Sequence, residues 1–223
     1  DGVVWAPVNC GYHETDFKYG KLYQWGRKYG QGYSGSFYVN GNKTETYSDA
    51  LVPATVPGPV AQSVGQSKDN ENKFYYNSSF PYDWCDVKND DRWNSGTEDN
   101  PVKTEYDPCP EGWRVPTFAE IDKLNNHCSA WLTVGGQKGD YFSGEYTYLD
   151  SVPSIFLPAA GRRIGHSAND VARNSCGFYY SSLISNKYGY QLTFDSSSGF
   201  YIQVYTGSGR SNGFSVRCVQ VTD

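Results

Sequence analysis

Val115-Pro116-Thr117-Phe118-Ala119-Glu120 is the clearest helix start in the chain. Thr117 stands where a cap is needed, and Glu120, three residues on, is placed to reach back and close a capping box. Phe118, Ile121 and Leu124 recur at helical spacing, and Asn125-Asn126 supplies a stop. The spacing predicts one helix over 118–126. Outside it the period changes. Gly189-Tyr190-Gln191-Leu192-Thr193-Phe194, Phe200-Tyr201-Ile202-Gln203-Val204-Tyr205 and Phe214-Ser215-Val216-Arg217-Cys218-Val219-Gln220-Val221 alternate as strands do. They predict three consecutive antiparallel strands closing the chain. Val52 to Pro59, with prolines at 53, 57 and 59, reads as a loop, and Asp86 to Tyr106 as a long polar excursion. One helix among many short strands and long loops favours an α+β fold over a doubly wound one.

Composition narrows the function classes. The 223 residues carry a net charge of −5, 20 Tyr, 24 Gly, 6 Cys and no Met. That length suits a single domain, 1–223, with enough chain to bury about 70% of its unfolded surface. No apolar run approaches the length of a membrane-spanning helix. The 19 Lys and Arg are scattered on an acidic background, which argues against a nucleic-acid binder built on phosphate contacts. The lack of Met even at position 1 predicts a processed product whose signal or upstream segment has been removed.

Cys10, Cys85, Cys109, Cys128, Cys176 and Cys218 contain no Cys-x-x-Cys pair. Neither a zinc ribbon nor a dithiol redox motif is on offer, and an even count fits structural disulfides in an oxidising compartment. Six cysteines allow 15 connectivities, which spacing leaves open. The sequence predicts no metal site and no cofactor.

Two formal motif matches fail on context. Gly30-Gln31-Gly32-Tyr33-Ser34-Gly35 has the spacing of a dinucleotide fingerprint, yet that fingerprint must open a helix, and Ser36 to Gly41 reads as strand and turn. Gly209-Arg210-Ser211-Asn212-Gly213 has the spacing of a nucleophile elbow. A strand follows it rather than a helix, and the last histidine, His166, lies upstream. Asp90, Asp91, Glu98 and Asp99 cluster in the polar excursion without the spacing of a calcium loop. A glycosidase pair among such carboxylates is a property of the fold, so a carbohydrate-active enzyme stands as the rival reading.

The segment from Asn174 to Asn212 is dense in Tyr, Ser, Gly and Asn, the composition of antibody paratopes. Candidate ligand-binding residues there are Asn186, Tyr188, Tyr190, Asp195, Tyr201, Gln203, Tyr205, Ser208, Arg210 and Asn212. Alternation puts Phe200, Ile202 and Val204 on one strand face and Tyr201, Gln203 and Tyr205 on the other. The apolar trio is expected in the core, which turns the Tyr/Gln/Tyr face outward.

Five segments, taken in order, carry a family likeness. They are Trp5-Ala6-Pro7-Val8-Asn9-Cys10-Gly11-Tyr12, Gly20-Lys21-Leu22-Tyr23-Gln24-Trp25-Gly26, Asp107-Pro108-Cys109-Pro110-Glu111-Gly112-Trp113-Arg114-Val115-Pro116-Thr117, Phe156-Leu157-Pro158-Ala159-Ala160-Gly161 and Gly213-Phe214-Ser215-Val216-Arg217-Cys218-Val219. From Trp5 to Val219 the chain resembles the Fibrobacter succinogenes major paralogous domain, common in surface proteins of Bacteroidetes. It departs at Gly177-Phe178-Tyr179-Tyr180-Ser181-Ser182, where Tyr180 stands in place of the family's usual Trp. The resemblance implies a C-type-lectin-like fold and an exported, cell-surface location, often at a fimbrial or pilus tip. Some relatives look like targets of diversity-generating retroelements. The calcium and sugar motifs of animal C-type lectins are missing, and fold does not carry function.

The likeness also implies a Cys109–Cys218 disulfide, with Cys10–Cys85 and Cys128–Cys176 completing the set. The resulting expectation is a non-catalytic adhesion module, part of a larger exported protein. Its partners are a protein or glycan on a host or neighbouring cell, or other pilus subunits.

Overall fold

A computed structural model of the chain describes residues 2–32, 36–39, 42–46, 52–143, 154–185, 188–196, 199–204 and 209–222. The fold is α+β. Among the described residues, short antiparallel sheets accompany a capped helical segment after Thr117, a one-turn helix at Gln62–Gly65, a 3-10 turn at Lys68–Asn70 capped by Ser67 and one parallel strand pair. The helix begins at Phe118 as the capping box requires. Glu120 N donates to the Thr117 hydroxyl at 3.3 Å, and Thr117 N donates back to the Glu120 carboxylate at 2.8 Å. Two hydrogen bonds from Arg114, 2.6 and 2.7 Å, hold that carboxylate, so its pKa falls below the usual range although burial alone would raise it. The α-helix covers Phe118–Asp122 and tightens to 3-10 geometry over Lys123–Asn126.

The strand Cys176–Ser185 runs between two cores. Phe178 and Tyr180 pack with Trp25, Trp93, Phe214 and Val216, while Tyr179, from the opposite face, packs with Leu157, Leu192 and Phe194. A period of two places alternate side chains on opposite faces, and here both faces are apolar. Tyr180 stands 4.4 Å from Phe214 and 5.8 Å from Trp93 and sends its hydroxyl to the Asn212 carbonyl. Tyr188–Asp195 pairs antiparallel with Cys176–Ser185 and with Gly199–Val204. Phe200 and Ile202 lie opposite Phe194 and Leu192, both core residues. Gly177 faces Phe194 so closely that a Cβ there would meet the ring at 2.1 Å.

Two expectations are corrected. The run 214–221 does not pair with Gly199–Val204. Gly213–Phe214 joins Tyr23–Gln24 and Arg163, and Val219–Gln220 joins Trp113–Arg114. Residues 209–219 are buried on both sides, so this segment threads the core instead of edging a sheet. Ala54–Pro57 is a strand, parallel to Lys73–Tyr76. It is an edge strand, where the amide lost at Pro57 is tolerated. The Asp86–Tyr106 excursion is the long, largely exposed loop its composition predicts, anchored where Arg92, Trp93 and Asn94 are buried, with Trp93 in the first core.

The disulfide set is corrected too. Cys109 and Cys218 are bonded, but Cys10, Cys85 and Cys176 are free thiols, so neither Cys10–Cys85 nor Cys128–Cys176 forms. Cys10 packs in the core around Trp25, whereas Cys85 belongs to a separate cluster with Tyr75 and Trp84.

Asp140 supplies a pH test. It is buried in the middle strand of a three-stranded sheet, opposite Trp131 and Leu157. Burial pushes its carboxyl up to about 6 from 3.8, against hydrogen bonds from Tyr141 and Ser129. A folded pKa above the unfolded one favours folding below the unfolded value and loses that contribution as pH rises through the folded value. Asp140→Asn should therefore gain on the native chain by about 2 kcal/mol between pH 4 and pH 7. Urea unfolding of both proteins across that range measures the difference. A gap that stays constant with pH would contradict this account.

Candidate functional site

A cleft of about 720 Å³ opens where residues 77–88 meet the loop carrying Arg210. Local chemistry builds its wall. Asn77 closes the 77–83 turn from both sides, donating to the Asp83 carbonyl at 2.8 Å and accepting from Ser79 N at 2.9 Å. Tyr82 then sits at φ 57°, and its carbonyl accepts from both the backbone and the hydroxyl of Ser211, at 3.0 and 2.7 Å. Gly209 is required beside it, since a Cβ would meet the Tyr82 carbonyl at 2.0 Å. The turn leaves Phe80 60% exposed at the rim, edge-on to Tyr82 with ring centres 6.2 Å apart.

The floor is charged and paired. Asp83 is buried between two arginines, with Arg210 Nε at 3.6 Å and Arg92 Nη1 at 3.8 Å from its Oδ2. Each guanidinium also lies over an indole, Arg210 on Trp25 at 5.2 Å and Arg92 on Trp84 at 5.0 Å. Burial raises the Asp83 carboxyl above its usual range, and the two arginines pull it only part of the way back. Arg210 further donates to the Asn89 carbonyl at 2.9 Å and to the Asp90 carboxylate. Lys88 joins Asp90 at 3.1 Å. Burial alone would raise Asp90, yet its bonds to Arg210 and Lys88 hold it below the ordinary value. Counting Asp86 at the rim, three acids face three bases.

This arrangement ties Asp83, Asp90, Lys88, Arg92 and Arg210 to fixed partners. The Ser211 hydroxyl is buried and donates to the Tyr82 carbonyl. The Cys85 thiol, also in the wall, is raised by burial, and its neighbour 3.8 Å away is the Asp86 carboxylate. A carboxylate beside a thiol disfavours the thiolate. A charge-balanced polar floor with an aromatic rim suits a neutral, hydroxyl-rich or amide-rich ligand.

The residues singled out from sequence fall into three groups. Arg210 and Asn212 are buried, not displayed. Arg210 is an ion-pair hub at the cleft, and the Asn212 side chain accepts from Gly165 N at 2.6 Å. Tyr188, Tyr190, Tyr201, Gln203 and the half-buried Asp195 lie on the paired strands Tyr188–Asp195 and Gly199–Val204. Tyr201 and Gln203 are register partners of Thr193 and Gln191, which are themselves buried. Asn186, Tyr205 and Ser208 lie outside the described residues.

Sequence reasoning missed the cleft itself. Its signal was Phe80-Pro81-Tyr82-Asp83-Trp84, an aromatic-rich run just ahead of the acidic loop. No family model, curated protein or solved structure matches the chain.

Proposed function

We propose that this chain is a non-catalytic, surface-displayed ligand-binding module of the Fibrobacter succinogenes major paralogous type, with a C-type-lectin-like fold and an extracellular location. Its family assignment rests on the ordered motifs between Trp5 and Val219. The binding reading rests on one observation. The cleft at Phe80 is lined by Arg210, which belongs to the Tyr-, Ser-, Gly- and Asn-rich segment from Asn174 to Asn212. A ligand bridging the cleft and that segment would meet aromatic faces and a neutral polar floor. The partner is then a glycan or a protein surface on another cell.

Glycan and host-protein arrays supply the test, with Phe80→Ala and Lys88→Ala as probes. Both side chains are exposed, so the unfolding free energy should stay within about 0.5 kcal/mol of the native chain's. The strongest array interaction should weaken at least about tenfold, the scale of one lost anchor contact. If binding survives both changes but is abolished by Ala at Tyr201, Gln203 and Tyr205, the cleft is not the site. Turnover of a glycoside that stops on Asp83→Asn or Asp86→Asn would overturn the non-catalytic reading in favour of a carbohydrate-active enzyme.

A further inference from the structure

Three sulfurs converge beneath the N-terminal segment, away from the Phe80 cleft. Cys109 and Cys218 form the disulfide, Cys10 keeps its thiol, and all three Sγ atoms lie within 4.8 Å of one another. The backbone fixes this convergence. Ala6 N donates to the Cys218 carbonyl and Cys10 N to the Val216 carbonyl, each at 2.8 Å, which lays residues 6–10 along residues 216–218. The thiol itself is held. It donates to the Pro108 carbonyl at 3.2 Å and accepts from the Tyr23 hydroxyl at 3.2 Å, so it rests beside the residue that precedes Cys109. A cleft of about 290 Å³ reaches the cluster, with Cys10 and Cys218 among its lining residues and Tyr12 and Trp113 beside them.

A structural bridge needs two cysteines. A third buried sulfur at this range is positioned to attack either of them. We propose that Cys10, Cys109 and Cys218 form a thiol–disulfide exchange centre in which Cys10 displaces either partner of the resting bridge. Cys10 loses its proton to solvent base, and the thiolate electron pair attacks Cys109 Sγ. The Cys10–Cys109 bond forms as the Cys109–Cys218 bond breaks, and Cys218 leaves as a thiolate that takes up a proton. Attack on Cys218 gives Cys10–Cys218 and a Cys109 thiol by the same route. One disulfide and one thiol exist before and after, so no oxidant or reductant is consumed. Exchange moves the covalent tie at the helix entrance from the C-terminal strand to the N-terminal segment.

The surroundings set the rate. Burial pushes the Cys10 thiol up to about 11. The Tyr23 hydroxyl and the Lys103 ammonium favour the thiolate, and the Asp107 carboxylate opposes it. Below that value the thiolate fraction grows about tenfold per pH unit, and the exchange rate grows with it. Exchange is therefore slow at neutral pH and fast in alkali.

The experiment uses the intact chain under inert gas, at pH 7 and pH 9, with no oxidant added. Samples are quenched in acid, digested with an acid protease and mapped by mass spectrometry. Bridges joining Cys10 to Cys109 or Cys218 should form about a hundred-fold faster at pH 9, and Cys10→Ser should show none. In a second arm Cys218→Ser is oxidised with glutathione disulfide, which accepts the two electrons. A Cys10–Cys109 bridge is expected. The proposal is overturned if Cys10 stays a free thiol at pH 9 in the folded chain. It is equally overturned if Cys85 or Cys176 enters bridges as fast as Cys10 does, because that would mean global scrambling. Should Cys218→Ser not fold, the pH comparison on the native chain decides alone.

Discussion

Replacing Trp93 with Ala should lower the unfolding free energy by about 3–5 kcal/mol, the range for a large buried aromatic. The indole is fully buried, 5.4 Å from Trp25 and 5.8 Å from Tyr180, and its Nε1 donates to the Arg27 carbonyl at 3.1 Å. The loss would not stay local. Next to Trp93, the Asn94 side chain accepts from Gly96 N at 2.9 Å and Val102 N at 2.7 Å, and Thr104 N donates to the Trp93 carbonyl. This indole and amide tie the middle of the 86–106 excursion, whose flanks are held by Arg210 on Asn89 and Asp90 and by Lys103 on the Cys109 and Trp113 carbonyls. Urea unfolding reads the energy, and limited proteolysis should show new cuts between 86 and 106. A loss under about 1 kcal/mol would mean that Trp93 is not the anchor described.

Arg217→Met should cost about 3–5 kcal/mol as well, by a different route. This guanidinium is buried, and among the described residues no carboxylate pairs with it. It donates instead to Asn9 Oδ1 at 2.8 Å and to the carbonyls of Phe156, Ala6 and Pro7 at 3.0, 3.1 and 3.3 Å. Burial brings its pKa down to about 10, against the Tyr179 hydroxyl. Met fills similar volume but leaves four acceptors dry, and each buried acceptor left without a donor is expensive. Arg217→Lys should recover only part of the loss, because an ammonium cannot span the same fork. Full rescue by Lys, measured by thermal unfolding, would show that charge matters here and geometry does not.

These two residues show what the sequence could and could not disclose. The helix was legible because its signal is local. Thr117 and Glu120 are three residues apart, and their bonds form within one turn. The pairing of Tyr188–Asp195 with Gly199–Val204 was legible for the same reason. Failure came where burial is decided at a distance. Phe214 to Val221 alternates like a half-exposed strand, yet Ser215 and Arg217 are as buried as Val216, because Cys176–Ser185 runs along Ser215 while Ala6 and the strand Ser154–Pro158 accept from Arg217. Arg210 looked like a surface contact for the same reason. The acids that bury it, Asp83 and Asp90, stand more than a hundred positions upstream. Alternation cannot see partners so remote. The cleft was hidden likewise, since Tyr82 and Ser211 meet only in the folded chain.

The pairing of the two chain ends has a mechanical consequence. Gln220 N bonds the Val4 carbonyl and Ala6 N bonds the Cys218 carbonyl, so the runs are antiparallel with residues 4 and 220 at the same end. A load pulling those ends apart meets the hydrogen bonds one after another, as in a zip, and not all together as in shear. On the C-terminal side the opening stops at Cys218, where tension passes through sulfur to Cys109 and the capped helix behind it. The N-terminal side has no such stop, because Cys10 is held by hydrogen bonds alone. Under tension the domain should yield from Val4 towards Cys10 first, while everything downstream of the bridge keeps its shape.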